Sequence, residues 1–401
     1  MTAKKYFSYL LMLYIASTLI FAIGSNIIVT RILNVILFGS FIIYIFTHQS
    51  IKVKIHKFLW IYILFAIYSF FSIYWSIDTN YTIGRSFIVM IIAINLVIIY
   101  NIAIYFKIEK YILYGIILGG VYNYLILFDI IPYVSEYTLH FKHRFVGTTN
   151  NPNVLAIYML FNILASFILL QENKSKLSTL LFLSNIFLAF YTIIMTASKK
   201  GVIFSLLLLS IYLISSLKSK KSVIISIFFI IVSIMMFNTS LIEKVDGINN
   251  LIHRFEVAQL AFTSNKVSGS TYERLYLIET AYEVFSKDFG TILLGTGQRT
   301  FELQNKLGLY AHNNYMELIS NLGLIGLFLF YSMYVVLFKE VLKVQDKSIK
   351  YFLLGFLLIL LLMDNALVSY TFKATFFIFI FLVIYINEQK TLHNRIRNEK
   401  N

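Results

Sequence analysis

Long apolar runs recur along the whole chain, separated by short segments that carry most of the charged residues. A run of about 18 or more apolar residues is long enough to cross a bilayer as a helix. We therefore predict an all-α polytopic membrane protein with about twelve transmembrane helices. The predicted spans lie near residues 6–23, 32–47, 58–75, 86–106, 111–131, 153–170, 178–195, 201–217, 222–239, 315–338, 351–370 and 372–388.

One long segment, residues 240–314, is not apolar enough to span a membrane. A connection of this length needs its own structure or a function. Its stretch TYERLYLIETAYEVF places Leu275, Ile278, Tyr282 and Phe285 on one face of a helix, so we expect helices on or near the membrane surface. The predicted organisation is spans one to nine in 1–239, the loop in 240–314, spans ten to twelve in 315–388, and a tail in 389–401.

The distribution of basic residues predicts the orientation of the chain. With the N-terminus inside, the cytoplasmic segments hold 20 lysines and arginines, whereas the short outer loops hold seven. This is a positive-inside bias, so both termini are predicted to be cytoplasmic and the long loop extracytoplasmic. The net charge of +15 then reflects topology and attraction to anionic membrane lipids, and does not indicate nucleic-acid binding.

Composition supports the membrane class. The chain is 59% hydrophobic and 13% charged, with two prolines and no cysteine, whereas a soluble domain has about 25% charged residues. Without cysteine, disulfides and thiol chemistry are excluded. The first apolar run follows Lys4 and Lys5 like a signal peptide, but many spans follow it, so we interpret it as an uncleaved helix.

Four stretches place polar groups on the predicted outer face. The first is HFKHRFVGTTNNPNVLA (140–156), which carries His140, Lys142, His143 and Arg144. Its Asn-Asn-Pro-Asn run is typical of a turn that caps the next helix. Metal binding by the two histidines is an alternative, but no carboxylate cluster accompanies them.

The second and third stretches carry basic residues that are candidates for binding an anion. In MTASKKGVIF, Lys199 and Lys200 form a basic outer turn; these lysines either extend to the lipid headgroups or bind phosphate. In the long loop, Arg274 precedes LLGTGQRTF (293–301), and it is either a solvated residue or an anion ligand. Gly-Thr-Gly alone is too short for a dinucleotide or P-loop motif.

The fourth stretch, AHNNYMELISNLGLIG (311–326), concentrates polar groups and glycines at the entry of the tenth span. Histidine is a natural general base near neutral pH, so His312 is either catalytic or merely interfacial. Asn313 suits a helix cap, and Glu317 lies four residues further on the same face. Gly323 and Gly326 predict close packing inside the span.

The predicted eleventh span contains an ionisable residue, Asp364, followed by Asn365. A carboxylate within the membrane is by default a functional candidate. The alternative is that Asp364 pairs with one of the outer lysines or arginines.

Together these stretches resemble the family of O-antigen ligases and O-antigen polymerases. The pattern is His312-Asn313, then nine residues, then Gly323, two residues and Gly326. RFVGTTNNPNVLA, TASKKG and the arginine preceding LLGTGQRTF resemble the other family elements, in the same order and on one side of the membrane. One position departs, because the family often has arginine where this chain has Lys199, and lysine lacks the bidentate fork.

The resemblance implies a glycosyltransferase of the bacterial inner membrane with an extracytoplasmic active site. Its donor would be a glycan on a polyprenyl diphosphate, such as undecaprenyl diphosphate, and its acceptor a glycan hydroxyl. His312 is the candidate base, oriented by Glu317 or Asn313, while the candidate diphosphate ligands are cationic. These ligands are Arg144, Lys199 or Lys200, and Arg274. A direct displacement would invert the anomeric carbon without a metal or other cofactor.

Four candidate functions differ in what the protein moves or holds. We favour a polymerase that joins repeat units of O-antigen or capsule, with a flippase and a chain-length regulator as candidate partners. A ligase would instead transfer finished glycan to the core of lipopolysaccharide or to another acceptor. A lipid-linked oligosaccharide flippase would show matching helix-broken halves, which the sequence does not display. A structural scaffold would not need the histidine and basic residues on one face.

Overall fold

The computed structural model of the protein is built from helices. It describes residues 2–21, 27–48, 52–132, 144–149, 151–173, 175–215, 250–252 and 270–398. Every regular element in these ranges is helical, so the prediction of an all-α polytopic membrane protein is confirmed. The predicted ninth span near 222–239, the start of the long loop, and His140, Lys142 and His143 lie outside the described residues.

The helices follow the apolar runs closely. The first group is α1 (Ala3–Ile20), α2 (Ile27–Thr47), α3 (Lys57–Phe71), α4 (Thr79–Phe106), α5 (Lys110–Leu127), α6 (Pro152–Glu172), α7 (Lys176–Met195) and α8 (Lys199–Ser215). After them come α9 (Ser270–Phe285), α10 (Phe289–Leu294), α11 (Phe301–Gln304), α12 (Asn314–Leu342), α13 (Lys347–Met363) and α14 (Lys373–Asn398). Short 3₁₀ turns cover Ser72–Trp75 and Gly147–Thr149.

Seven helices in the described part of the chain are long and apolar enough to cross a membrane. These are α2, α3 with its 3₁₀ extension, α4, α5, α6, α7 and α12. The predicted first, eighth, eleventh and twelfth spans are also helices, namely α1, α8, α13 and α14, but they are not among the seven. The total of about twelve spans, and the domain boundaries, therefore stay predictions.

The chain divides into two compact units. The first comprises Met1–Ile51, Ile102–Ser264 and Asp346–Gly355. Within it α1 and α5 approach closely, because Gly115 and Gly119 lie against Ile15 and Leu19, where an added Cβ would come within 2.8 Å of a side chain. Small residues four positions apart permit this approach of membrane helices.

Polar side chains join α6 and α7 inside the first unit. Asn185 Nδ2 donates to Asn162 Oδ1 and to Ser166 Oγ at 2.7 Å. Amide and hydroxyl groups buried at a helix contact need partners, and here they supply each other.

The second unit comprises Lys52–Asn101, Asn265–Gln345 and Phe356–Asn401. In its core α3 packs on α12, with the rings of Phe65 and Phe330 at 5.6 Å. The ring of Tyr370 lies 6.1 Å from that of Phe65. These buried rings fix α12, the helix that follows His312, against its neighbours.

The described part of the long loop is helical, as expected, and α9 is its main element. Its side facing the protein holds Leu277 and Ala281, which pack with Phe301 and Ala311 in a small buried core. The predicted apolar face lies elsewhere on the helix: Leu275 is 44% exposed and Tyr282 59% exposed. The buried side of α9 is therefore different from the side that the apolar spacing predicted.

Candidate active site

Helix α12 is broken at Gly323, which divides it into residues 314–322 and 324–342. Gly323 has φ 62° and ψ −166°, a region essentially restricted to glycine. An added Cβ would lie 2.3 Å from the carbonyl oxygen of Leu293. The predicted close approach at Gly323 is therefore confirmed, but its partner is the backbone at the end of α10. At Gly326 the Cβ would meet Leu322 of the same helix, 2.3 Å away.

Three carbonyl groups beside the break accept hydrogen bonds from outside α12, two from the turn after α10 and one from Tyr68 of α3. Unpaired carbonyls inside a membrane protein are costly, so these donors stabilise the broken helix. The bonds are Thr296 N to Ser320 O (3.1 Å), Gly297 N to Asn321 O (2.9 Å) and Tyr68 Oη to Leu322 O (3.0 Å). The turn 295–300 is thereby fixed to the broken helix.

Glu317 ties the start of α12 to the segment before it. The carboxylate is fully buried and accepts from the backbone N–H of Ala311 at 2.7 Å. Its other oxygen accepts from Asn321 Nδ2 at 2.9 Å, while Asn321 Oδ1 accepts from Phe301 N at 2.8 Å. Glu317 thus fixes the residue directly before His312.

His312 lies between two anchored residues. Ala311 is held by Glu317, and Asn313 is the cap of α12, accepting from Tyr315 N and Met316 N at 2.9 and 3.2 Å; the predicted capping role of Asn313 is confirmed. His312 has φ 53°, which is uncommon outside glycine and frequent at functional sites. Its half-buried ring packs on Tyr310 with centroids 4.0 Å apart.

Several charges converge on Tyr310. Burial raises the pKa of its phenol, and Glu317 raises it further, whereas Arg274 and Arg299 oppose the rise. Both arginines therefore act electrostatically on the residue that packs on His312. The structure brings Arg274, Glu317 and His312 of the predicted set into one region of the second unit.

Arg299 and Glu302 were not among the predicted site residues. Arg299 Nε donates to Glu302 Oε1 at 2.6 Å, and Tyr81 Oη donates to the other oxygen of Glu302. Arg85 Nη2 in turn donates to Tyr81 Oη at 3.2 Å. The available signal was the arginine within LLGTGQRTF with a glutamate three residues later, but the sequence does not show that α4 supplies Tyr81.

Asp364 joins the start of α12 through uncharged groups. Tyr331 Oη donates to Asp364 Oδ2 at 2.8 Å, and the Asn314 backbone N–H donates to the Asp364 carbonyl at 2.7 Å. Asn314 Nδ2 also donates to Tyr331 Oη at 3.0 Å. The hydrogen bonds described for Asp364 therefore favour a role at the α12 entry over pairing with an outer lysine or arginine.

The first unit contains the other predicted cations. Arg144 Nε donates to the Thr196 carbonyl at 2.9 Å and Nη2 to Asn153 Oδ1 at 3.3 Å. Ser198 Oγ donates to the same Asn153 oxygen at 3.0 Å. Arg144 is thus bound to the turn that precedes α8, whose first two residues are the half-buried Lys199 and Lys200.

Local capping places the start of α6 beside this cluster. Asn151 caps α6 by accepting from Asn153 N at 2.9 Å, and Pro152 occupies the first helical position. The turn and cap predicted from Asn-Asn-Pro-Asn are confirmed at these positions. The described residues include no group of three or more histidine, cysteine or acidic residues placed to hold a metal ion.

Comparison with known proteins adds one finding. Residues 184–331 match the family model described as O-antigen ligase. The matched segment includes Lys199, Lys200, Arg274, His312 and Glu317, and it ends within α12. No curated protein matches the chain.

Proposed function

We propose that the protein is a polysaccharide polymerase. The match of residues 184–331 supports membership of the O-antigen ligase and polymerase family. It moves glycan from a polyprenyl-diphosphate carrier to a hydroxyl of an acceptor glycan on the outer face of the membrane. The family implies that the substrates are a lipid-linked glycan donor and an acceptor. It also favours glycosyl transfer over flipping.

The observation that carries the proposal is the presentation of His312. Its backbone is fixed on both sides, by Glu317 at Ala311 and by the cap at Asn313, and its ring packs on Tyr310. Arg274 acts on the same tyrosine. Transfer from a diphosphate requires a positioned base and a cation for the leaving group, and both residue types occur in the second unit.

In the proposed reaction the acceptor hydroxyl oxygen attacks the anomeric carbon and its proton passes to the His312 imidazole. The bond from that carbon to the phosphate oxygen breaks, and the diphosphate leaves with the electron pair. A single displacement of this kind inverts the anomeric carbon. Glu317 acts as a positioning residue, because it holds the backbone at Ala311.

The negative charge that develops on the leaving diphosphate needs cationic groups. We assign this role to Arg274 in the second unit. Arg144, Lys199 and Lys200 of the first unit are proposed diphosphate ligands because the turn that they surround resembles a family motif. With side-chain cations in this role the reaction proceeds without a metal.

A ligase is the second candidate, and the description of the matching family model favours it. The two activities differ in the acceptor, so the products separate them. A polymerase joins repeat units to each other, whereas a ligase delivers a completed chain to another molecule.

The test is complementation of a deletion strain with wild type, His312→Ala or the control His48→Ala, followed by electrophoresis of the surface glycan. His48 is an exposed histidine at the end of α2. For a polymerase we expect His312→Ala to leave single repeat units on their usual acceptor, while His48→Ala gives the wild-type ladder. Protein levels in the membrane are compared by immunoblot.

Other outcomes have definite meanings. Full-length chains that remain on the lipid carrier would identify a ligase. A normal ladder from His312→Ala would show that His312 is not the catalytic base. It would favour a transport or scaffold function instead.

A further inference from the structure

We propose that Arg299 is an oxyanion-binding residue, whose terminal guanidinium nitrogens take a phosphate or carboxylate group of the substrate. This inference rests on the proposed function for the identity of the substrate. It adds a residue that the sequence analysis did not single out.

The turn that carries Arg299 is rigid. Gly297 has φ 108°, and an added Cβ would lie 2.3 Å from Ser76 Oγ. Gln298 N donates to Ser72 Oγ at 3.0 Å, and Gln298 Nε2 donates to Tyr370 Oη at 3.3 Å. The backbone directly before Arg299 is therefore held in place without a ligand, which lowers the cost of binding.

Arg299 itself adopts a left-handed backbone conformation, with φ 62°. A side chain other than glycine persists there only when its surroundings enforce the conformation, and such residues cluster at ligand sites. An ordinary surface ion pair between residues i and i+3 does not require this strain. The conformation therefore favours a function for Arg299 beyond its contact with Glu302.

One edge of the guanidinium is bound to Glu302, and the described residues form no hydrogen bond with the other edge. Nε donates to Glu302 Oε1 at 2.6 Å, which orients the plane of the group. Among the described residues, that bond is the one hydrogen bond of the Arg299 side chain, which is 30% exposed. The Nη1 and Nη2 donors can then bind two oxygens of a phosphate or carboxylate in parallel.

The position of Arg299 is also suitable. Arg299 and Arg274 both act electrostatically on Tyr310, and the Tyr310 ring packs on His312. An anion held by Arg299 would thus lie in the same region as the candidate base. The diphosphate of the carrier and the carboxylate of an acidic sugar are two sources of such an anion.

The experiment measures ligand-induced stabilisation of the purified full-length protein in lipid nanodiscs. The probes are inorganic pyrophosphate and glucuronate, titrated separately while thermal unfolding is recorded. The variants are Arg299→Gln and Arg299→Lys, with Arg85→Gln as the matched control. Arg85 belongs to the same chain of contacts, through Tyr81, but carries no proposed ligand.

For wild type we expect a rise in Tm with at least one probe. The apparent affinity should fall about tenfold or more in Arg299→Gln, because the bidentate charge-assisted contact is lost. Arg299→Lys should show an intermediate value, and Arg85→Gln the wild-type value. Stabilisation by pyrophosphate alone would identify the carrier diphosphate as the source, and stabilisation by glucuronate alone an acidic sugar.

The proposal is overturned if neither probe stabilises wild type, or if Arg299→Gln binds as wild type does. If Arg299→Gln does not fold, Arg299→Lys provides the test of the proposal. Wild-type affinity of Arg299→Lys for the probes would exclude a bidentate contact. The binding assay needs no glycosyl transfer. A binding site that depends on Arg299 would therefore stand even if His312→Ala retained a normal ladder, and that ladder would remove only the proposed reaction.

Discussion

The backbone at His312 shows how a single residue is held for chemistry. A left-handed histidine is strained, and two neighbouring contacts compensate for that strain. Glu317 accepts from the N–H of the preceding residue, and Asn313 immediately begins α12 as its cap. The histidine therefore occupies a fixed position at the entry of a helix instead of a flexible loop.

Tyr310 provides the side-chain support for this arrangement. Replacing Tyr310 with alanine removes the ring that lies 4.0 Å from the His312 ring. An aromatic contact contributes about 0.5–1.5 kcal/mol, so we expect the initial rate of chain growth to fall about tenfold in isolated membranes. Tyr310→Phe keeps the ring and should retain most of the rate. Equal rates for the alanine and phenylalanine variants would show that the ring does not position His312.

Arg274 tests the anion-binding role on helix α9. Arg274→Lys keeps the charge but loses the fork of parallel donors. We expect the rate of glycan transfer in membranes to fall about tenfold, since a bidentate charge-assisted bond is lost. Lys306→Arg, an exposed change in the same loop, is the control and should leave the rate unaltered. An unaltered rate for Arg274→Lys would instead show that Arg274 is a solvated surface residue of α9 without a role in anion binding.

At this scale the sequence predicted what depends on near neighbours. The caps at Asn151 and Asn313 follow from local backbone chemistry, and both are present. Arg299 was missed because its partner Glu302 is bound by Tyr81 of α4, more than 200 positions earlier in the chain. A tertiary contact of that range leaves no periodic signal in one sequence.

The broken helix α12 is the element that organises the second unit. Its first half ends in carbonyl groups that accept hydrogen bonds from the turn 295–300 and from Tyr68. Irregular backbone at membrane depth is tolerated where protein groups satisfy it. Here Tyr68 and the turn do so, and the same turn carries Arg299. The break thus couples the fold of the loop to the membrane helix.

Gly323→Ala tests whether the break is required. The change places a Cβ against the Leu293 backbone and forces alanine into a conformation that costs on the order of 1–3 kcal/mol. We expect a lower Tm of the purified protein and loss of chain growth. The control is Gly84→Ala in α4, where no atom lies within 4 Å of an added Cβ; alanine there should be neutral or stabilise the helix by up to about 1 kcal/mol. An unchanged Tm for Gly323→Ala would mean that α12 tolerates a continuous helix.

The sequence predicted close packing at Gly323 but did not identify the end of α10 as its partner. Glycine spacing indicates that another group packs closely against the helix, but it does not identify that group. In the same way, the apolar spacing of α9 indicated a helix correctly but not the side on which Leu277 and Ala281 are buried. Both differences arise because the loop folds back onto α12, which is a tertiary event.

At the scale of the whole molecule, hydropathy accounts for the fold class. The family match accounts for the chemistry that we propose. Seven described helices satisfy the length and apolarity of a span. Orientation depends on the positive-inside bias, a statistical preference of insertion, so it needs a direct measurement.

The absence of cysteine makes that measurement simple, because each introduced thiol is the only one in the chain. We expect Lys287→Cys, in the exposed turn after α9, to react with a membrane-impermeant maleimide added outside intact cells or spheroplasts. Gln345→Cys, exposed after α12, should react only once the membrane is permeabilised, because α12 crosses the bilayer between the two positions. Permeabilised samples serve as the control for intrinsic reactivity. Labelling of both cysteines from outside would exclude α12 as a span, and the reverse pattern would place the candidate active site on the cytoplasmic face, where a glycan exported on its carrier could not reach it.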